Sequence, residues 1–468
     1  MAVINIVKLA ELEGTTRFDA EYYQPYHLEL IEKIKKADNY KIIRHLGCQV
    51  VSGPFGSSLK SDAYKDSGVP FVRIQNLENF FINDDELVYI SKEDNDRLKS
   101  SQLKLGDLVF SKVGNTIGVV SMITEDISNC NISENNIGIK FFPNVNTKLK
   151  IFVLTFLNSE LGQRQILRRI SGNAQPKLNI ADIYNLLIYV PENSLLEKIN
   201  EIVLEAKKLL DQSKTLYLQA EHLLLEESGL KDFEPKYELS YNSNLSRAFG
   251  MNRLDAEYFQ PLYHDLIKYL EKNIELKPLR NFLLKLQKGI EVGGDNYREE
   301  GKPFIRVSNL SINGFVEKDQ KLIEEKIYGR LKDVYEPKLG DLLLTKDATP
   351  GIAYVVKESV EGIISSGTLK LTINEGDINK EYLSLCINSI VGKLQIERDG
   401  GGSVITHWRP EQIKKLQIPI LPERIQKKIA SLVQNSHEAR RKAKSLLEEA
   451  KGKVEEAIDT SSPDSRLF

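Results

Sequence analysis

The sequence is short of everything that builds a metal centre, a disulfide framework or a membrane anchor. Among its 468 residues there are three cysteines, Cys48, Cys130 and Cys386, far apart and with no Cys-x-x-Cys pair. That is too few for a disulfide framework or a four-cysteine zinc site, so they read as reduced core residues. The six histidines show no paired metal spacing. No run approaches the ~18 apolar residues of a membrane-spanning helix. The opening MAVINIVKLAELEGTT lacks the basic region, apolar stretch and small-residue cleavage site of a secretory signal. A cytoplasmic protein without membrane contact is expected. Charge of one sign is lacking too: 64 Lys and Arg against 66 Asp and Glu leave −2, so affinity for nucleic acid has to come from local clusters. There is no GxxxxGK(S/T) phosphate loop, HExxH helix or GxSxG elbow. The run Gly400, Gly401, Gly402 has no flanking strand, helix and acidic partner of a nucleotide fold, and reads as a loop. No catalytic activity is expected of the chain.

What is present is an ordinary globular composition, 41% hydrophobic and 28% charged. At ~150 residues per domain the length suggests about three domains, or two with an extended element. The second division fits, because the chain is written twice. RFDAEYYQPYHLELI from Arg17 returns as RLDAEYFQPLYHDLI from Arg253, and GVPFVRIQNL from Gly68 as GKPFIRVSNL from Gly301. LGDLVFSK from Leu105 returns as LGDLLLTK from Leu339, and LLIYVPE ending at Glu192 as IPILPE ending at Glu423. Four blocks in one order define two copies of a unit large enough to bury its own core. Between the blocks the copies diverge: GPFGSSLKSDAYKDS in the first stands where QKGIEVGGDNYREE stands in the second.

Each copy ends in a long helix. After Pro191 there is no Gly or Pro until Gly229, and Leu196, Ile199, Val203, Ala206, Leu210, Ser213, Tyr217, Ala220 and Leu224 alternate steps of three and four. After Pro422 the pattern returns at Ile425, Ile429, Leu432, Ser436, Ala439, Ala443, Leu446 and Ala450. A narrow apolar stripe has to be buried, and each helix is the natural partner of the other. Antiparallel pairing would hold the globular parts at opposite ends of a rod of about 45 Å, a little over one B-DNA turn of roughly 34 Å. A coiled coil used only for rigidity or dimerisation is the plainer alternative. The expected fold class is α+β: two pseudo-symmetric globular domains separated by two long antiparallel coiled-coil helices. The expected division is 1–190, helix 191–228, linker 229–250, second domain 251–421, helix 422–458 and tail 459–468.

Short apolar runs supply the strands: VPFVRIQNL, DLVFSKV, GVVSMI and IGIKFF, then KPFIRVSNL, DLLLTK, AYVV and LKLTI. Asp107 and Asp341 recur in LGD, a turn with an Asx hydrogen bond more readily than an acid or base. What remains is binding chemistry. Arg73, Gln75 and Asn76 in the first copy, and Arg306 and Asn309 in the second, carry the forked donors and acceptors that read bases in the major groove. Their repetition equally suits a scaffold role. Residues that read different sequences should lie where the copies diverge. Those are Ser57, Ser58 and Lys60 with Asn296; Lys112, Asn115 and Thr116 with Lys346 and Thr349; and Asn173, Gln175 and Lys177 with Ser403, Thr406, His407 and Arg409. Arg168 and Arg169 add local positive charge suited to phosphates, or to a solvated helix face.

GPFGSSLKS, GVPFVRIQNL, LKLGDLVFSKVGNTIG, SGNAQPKLN and the Pro-Glu entry to each long helix resemble specificity subunits of type I restriction-modification systems, in duplicate and over nearly the whole chain. The second copy departs from the pattern where GGGSVITHWRPEQI replaces SGNAQPKLNIADI and QKGIEVGGDNY replaces the GPFGSSLK loop. The resemblance implies target recognition domains that each read half of a split sequence on double-stranded DNA, with the helices fixing the unread gap. It implies two partner methyltransferase subunits that bind S-adenosylmethionine, and restriction/translocase subunits that use ATP and Mg, with no cofactor on this chain. Apolar surfaces near Phe18, Tyr22, Leu254 and Tyr258 would dock the partners. Two alternatives stay open: the recognition subunit of a restriction system with fused methylase and nuclease, and a coiled-coil scaffold that does not bind DNA.

Overall fold

The structure is a computed structural model that describes residues 6–8, 17–37, 39–54, 59–172, 176–251, 253–317, 319–374, 376–400 and 407–461. It divides into two compact units, Met1–Leu209 with Lys442–Phe468, and Leu210–Arg441.

In the first unit a five-stranded sheet runs Cys48–Ser52, Asn136–Phe141, Leu108–Ser111, Val120–Met122, Phe80–Phe81. Four more strands, in the order Val88–Ile90, Val69–Val72, Cys130–Ile132, Gln102–Leu103, make a second sheet. Leu108 and Phe110 face a core shared with the helices Thr147–Asn158 and Glu160–Arg169. Val109, between them, packs with Val72, Leu103 and Ile132 of the second sheet. A strand buried on both faces reads as a continuous apolar run rather than an alternation, hence LVF.

The second unit repeats the design. Its sheet runs Leu283–Lys288, Thr368–Ile373, Leu342–Thr345, Ala353–Val355, the same relative order as the first four strands above. Leu342 and Leu344 face the helical core while Leu343 packs with Ile305 and Ile364. Val69–Val72 pairs parallel with Cys130–Ile132, and Lys302–Ile305 parallel with Ile363–Ile364. The copies part at one edge: Phe80–Phe81 joins the first sheet, whereas Gly314–Phe315 folds back on Leu310–Ser311 as a hairpin. Every strand expected from the apolar runs forms, and the α+β class holds. Asp107 closes a turn, its carboxylate accepting from the Lys104 and Phe141 amides at 2.8 and 2.9 Å, and Asp341 accepts from the Lys338 amide at 2.8 Å.

The long helices are Asn193–Glu227 and Glu423–Ser461. In the first unit Leu196, Ile199 and Val203 share a core with Ala450, Val454 and Ile458. In the second, Ala220 and Leu224 share a core with Ile429 and Val433, and Ser213 meets Ser436 at 3.0 Å between hydroxyls. The start of one helix keeps company with the end of the other in both units, which is antiparallel pairing. The heptad positions of the first helix are buried or half-buried as the period requires. In the second helix Val433 is fully buried while Leu432 is half-buried. That helix has another face to cover: Val433 and His437 lie one turn apart beside the heptad stripe, and His437 stacks edge-on against Tyr354 of the sheet. No helix among the described residues is long and apolar enough to cross a membrane.

Candidate nucleic-acid interface

The described parts of the divergent segments of each unit meet at one end of its main sheet. In the first, Gly53 follows strand Cys48–Ser52 and its amide donates to Asn136 O at 3.1 Å; the Lys112 amide donates to Asn135 O at 2.8 Å. The Leu178 amide donates to Lys112 O at 3.0 Å, and Val113 and Ser171 both bridge to Lys177. Gly53 has to be glycine for this approach, since a Cβ would lie 1.8 Å from Ser133 O. In the second unit Gly289 has the same role, with a Cβ position 2.2 Å from Ser365 O. The Lys346 amide donates to Gly367 O at 2.9 Å, the Trp408 amide donates to Lys346 O at 2.8 Å, and Asp347 bridges to His407. Trp408 itself is a core anchor, 1% exposed.

Several expected contact residues keep free faces at or beside these loops. Lys60, Gln75, Asn115 and Lys177 are exposed in the first unit, as are Thr349, His407 and Arg409 in the second. Lys112 is half-buried, its ammonium donating to Ser52 Oγ at 3.4 Å. Asn296 is half-buried and donates to Val292 O at 2.5 Å, and Lys346 pairs with Asp347 at 2.5 Å. Ser57, Ser58, Asn173, Gln175, Ser403 and Thr406 lie outside the described residues.

Other residues expected at a base edge or phosphate are occupied by the fold. Asn76 and Asn309 are each 1% exposed. Their side-chain oxygens accept from the Arg73 and Arg306 amides at 3.0 and 3.2 Å, closing a short turn after each repeated strand. The Arg73 guanidinium donates to Glu86 O at 2.7 Å, and that of Arg306 pairs with the Asp319 carboxylate at 2.9 Å. Thr116 is buried against the Ser111 hydroxyl at 3.0 Å. Arg168 donates to Tyr22 O at 2.7 Å with its guanidinium 3.9 Å from the Tyr22 ring centre, and Arg169 donates to Asn185 O at 2.9 Å. The two arginines thus hold the scaffold, because burial leaves them no face for a phosphate.

The longest repeated block also has a structural purpose that the sequence reading missed. Arg17 makes a two-pronged ion pair with Asp19 and donates to Arg169 O and Ile170 O, the end of helix Glu160–Arg169. Arg253 does the same with Asp255 and with Asp399 O. The signal was available: an acid two residues after the arginine in both copies. Tyr22, expected at a docking surface, lies buried beneath Arg17 and Arg168. Phe18 and Leu254, at the same place in the two copies, are 78% and 79% exposed. No group of three metal-ligating side chains occurs among the described residues.

Residues 265–446 match the family described as Type I restriction modification DNA specificity domain. No curated protein matches the sequence. Among solved structures the chain is similar to the type I restriction-modification S subunit of M. genitalium (12% identity, 91% of this chain and 96% of that one, TM-score 0.39). It is also similar to the HsdS subunit of Thermoanaerobacter tengcongensis (13%, 90% and 97%, 0.28) and to the type IIG restriction endonuclease BpuSI (13%, 38% and 28%, 0.31). By the family match, residues 265–446, most of the second unit, carry a DNA specificity domain of the type I restriction-modification kind, and the sequence repeat relates the first unit to the second.

Proposed function

We propose that each unit reads one half of a split target on double-stranded DNA, and that the paired helices set the length of the unread gap. The carrying observation is the convergence, in each unit, of the three segments in which the copies differ, at the same end of a shared sheet. A shared scaffold with divergent loop tips is what two readers of different half sequences require. Lys60, Gln75, Lys112, Asn115 and Lys177 are the contact residues of the first unit. Asn296, Lys346, Thr349, His407 and Arg409 are those of the second. Ser57, Ser58, Asn173, Gln175, Ser403 and Thr406 belong to the same divergent sequence segments. The chain binds no cofactor in this reading. Two partner methyltransferase subunits bring S-adenosylmethionine, and restriction/translocase subunits bring ATP and Mg, all within the cytoplasm.

Methylome sequencing of cells carrying the chain with its partner methyltransferase tests this. The expected result is methylation of a motif in two defined halves flanking an undefined gap. A continuous motif, or no modification, overturns the proposal.

A further inference from the structure

The same backbone bridge carries different chemistry in the two units. Val113 pairs with Lys177 in the first, and Asp347 with His407 in the second, each pair joining the same two loops. A lysine ammonium offers donors only. The second unit puts a histidine in that place and adds a carboxylate to hold it: Asp347 Oδ1 lies 2.8 Å from His407 Nδ1, while Oδ2 pairs with the Lys346 ammonium at 2.5 Å. The Asp347 carboxylate is mostly covered, its side chain 22% exposed, yet the imidazole is 65% exposed. Burial pulls the Asp347 carboxyl up, but hydrogen bonds from His407 and Lys346 outweigh it and leave the group below its ordinary value. An ionised carboxylate only accepts, so Nδ1 carries the proton it donates. In its neutral form the ring presents Nε2, its other ring nitrogen, as an acceptor, in an orientation fixed by the hydrogen bond at Nδ1.

We infer that His407 reads an exocyclic amino group in the major groove, the N6 amine of adenine or the N4 amine of cytosine, and that Asp347 positions it. An acceptor at Nε2 suits those groups and rejects the carbonyl oxygens of guanine and thymine. Lys177, at the matching place, suits the acceptors of guanine instead. The two units thus read opposite chemistry from one backbone frame. The second unit's choice is made in part by Asp347, a residue that touches no base. The inference rests on the DNA-reading function proposed above.

The test is selection of bound duplexes from a randomised library by the full chain together with its partner methyltransferase, with wild type defining both half sequences. His407→Ala and Asp347→Ala are expected to lose on the order of tenfold preference at the same base pair of one half, leaving the other half unchanged. Asp347→Asn, which keeps an acceptor for Nδ1, should retain most of that preference; a purely structural role for Asp347 would not separate Asn from Ala in this way. Lys177→Ala should alter the opposite half. Unchanged preferences in both His407→Ala and Asp347→Ala overturn the inference, as does a change confined to the half that Lys177→Ala affects. Should Asp347→Ala prove unfolded by its melting curve, His407→Ala decides, since its ring is exposed. A wild-type chain that selects no split sequence overturns the DNA-reading proposal itself.

Discussion

At the residue scale, the turn beside the bridge just described shows how one position is solved differently in two copies. Gly114 and Ala348 occupy the same place and both adopt left-handed backbone, with φ of +78° and +59°. That conformation costs a residue with a Cβ about 1–2 kcal/mol and glycine nothing of the kind. No atom lies within 4 Å of a Cβ built at Gly114, so Gly114→Ala would add the conformational cost alone. It should lower the stability of the first unit by about 1 kcal/mol in denaturant unfolding. Ala348→Gly should change the second unit by less than ~1 kcal/mol, because relief of the turn is offset by a freer unfolded chain. Equal losses at both positions would contradict the conformational account. Arg73, Asn76 and their second-copy equivalents mark the limit of the sequence at this scale. Forked polar groups at a strand end were legible; whether an amide faces a base or its own turn depends on burial, and here the turn takes it. Asp347 went unnoticed because a carboxylate next to a lysine in a loop has no meaning until His407 is seen against it.

The paired helices set the terms at the element scale. Their period was legible from the 3–4 spacing, and the partner of each stripe was inferable from the fact that both copies carry one. The register was not. It is fixed where Ser213 meets Ser436, each 2% exposed or less, with the Ser436 hydroxyl also donating to Ser213 O at 2.7 Å. Counting back along an antiparallel pair from that contact, Leu210 faces Ala439. Seven residues inserted after Leu210, matched by seven before Ala439, preserve every heptad layer and add about 10.5 Å of helix. At 3.4 Å per base pair the gap in the methylated motif should grow by about 3 base pairs with both half sequences intact. Seven residues inserted in one helix alone leave two turns without facing layers, and a drop in melting temperature is expected. Altered half sequences in the matched insertion would refute the separation of reading from spacing.

At the scale of the whole molecule, each unit buries a histidine. His27 is pushed down to about 4, first by burial and then by the charges of Arg168 and Arg164; His437 is pushed down to about 4, again by burial and then by Lys357 and Arg440. An unfolded histidine titrates near 6.5. Below that pH the unfolded chain takes up protons that the folded units refuse, so the stability these groups contribute is present above about pH 6.5 and is lost as pH falls toward about 4. Melting temperature should therefore decline over that window. The double variant His27→Leu, His437→Phe should show a shallower decline than wild type. An identical slope would show that paired carboxylates, not the histidines, govern acid sensitivity.

The sequence by itself determined the duplication, the α+β class, most of the strands and the two long helices. Those depend on repetition and on apolar periodicity, which are local properties that survive in a string of letters. Tertiary structure decided which polar side chains remain available for DNA. Asn76, Thr116 and Arg168 are polar like Gln75, Asn115 and Lys177, but the first three are enclosed by the fold and the second three face solvent. Burial and hydrogen-bond satisfaction are set by residues distant along the chain, and no spacing within a loop encodes them.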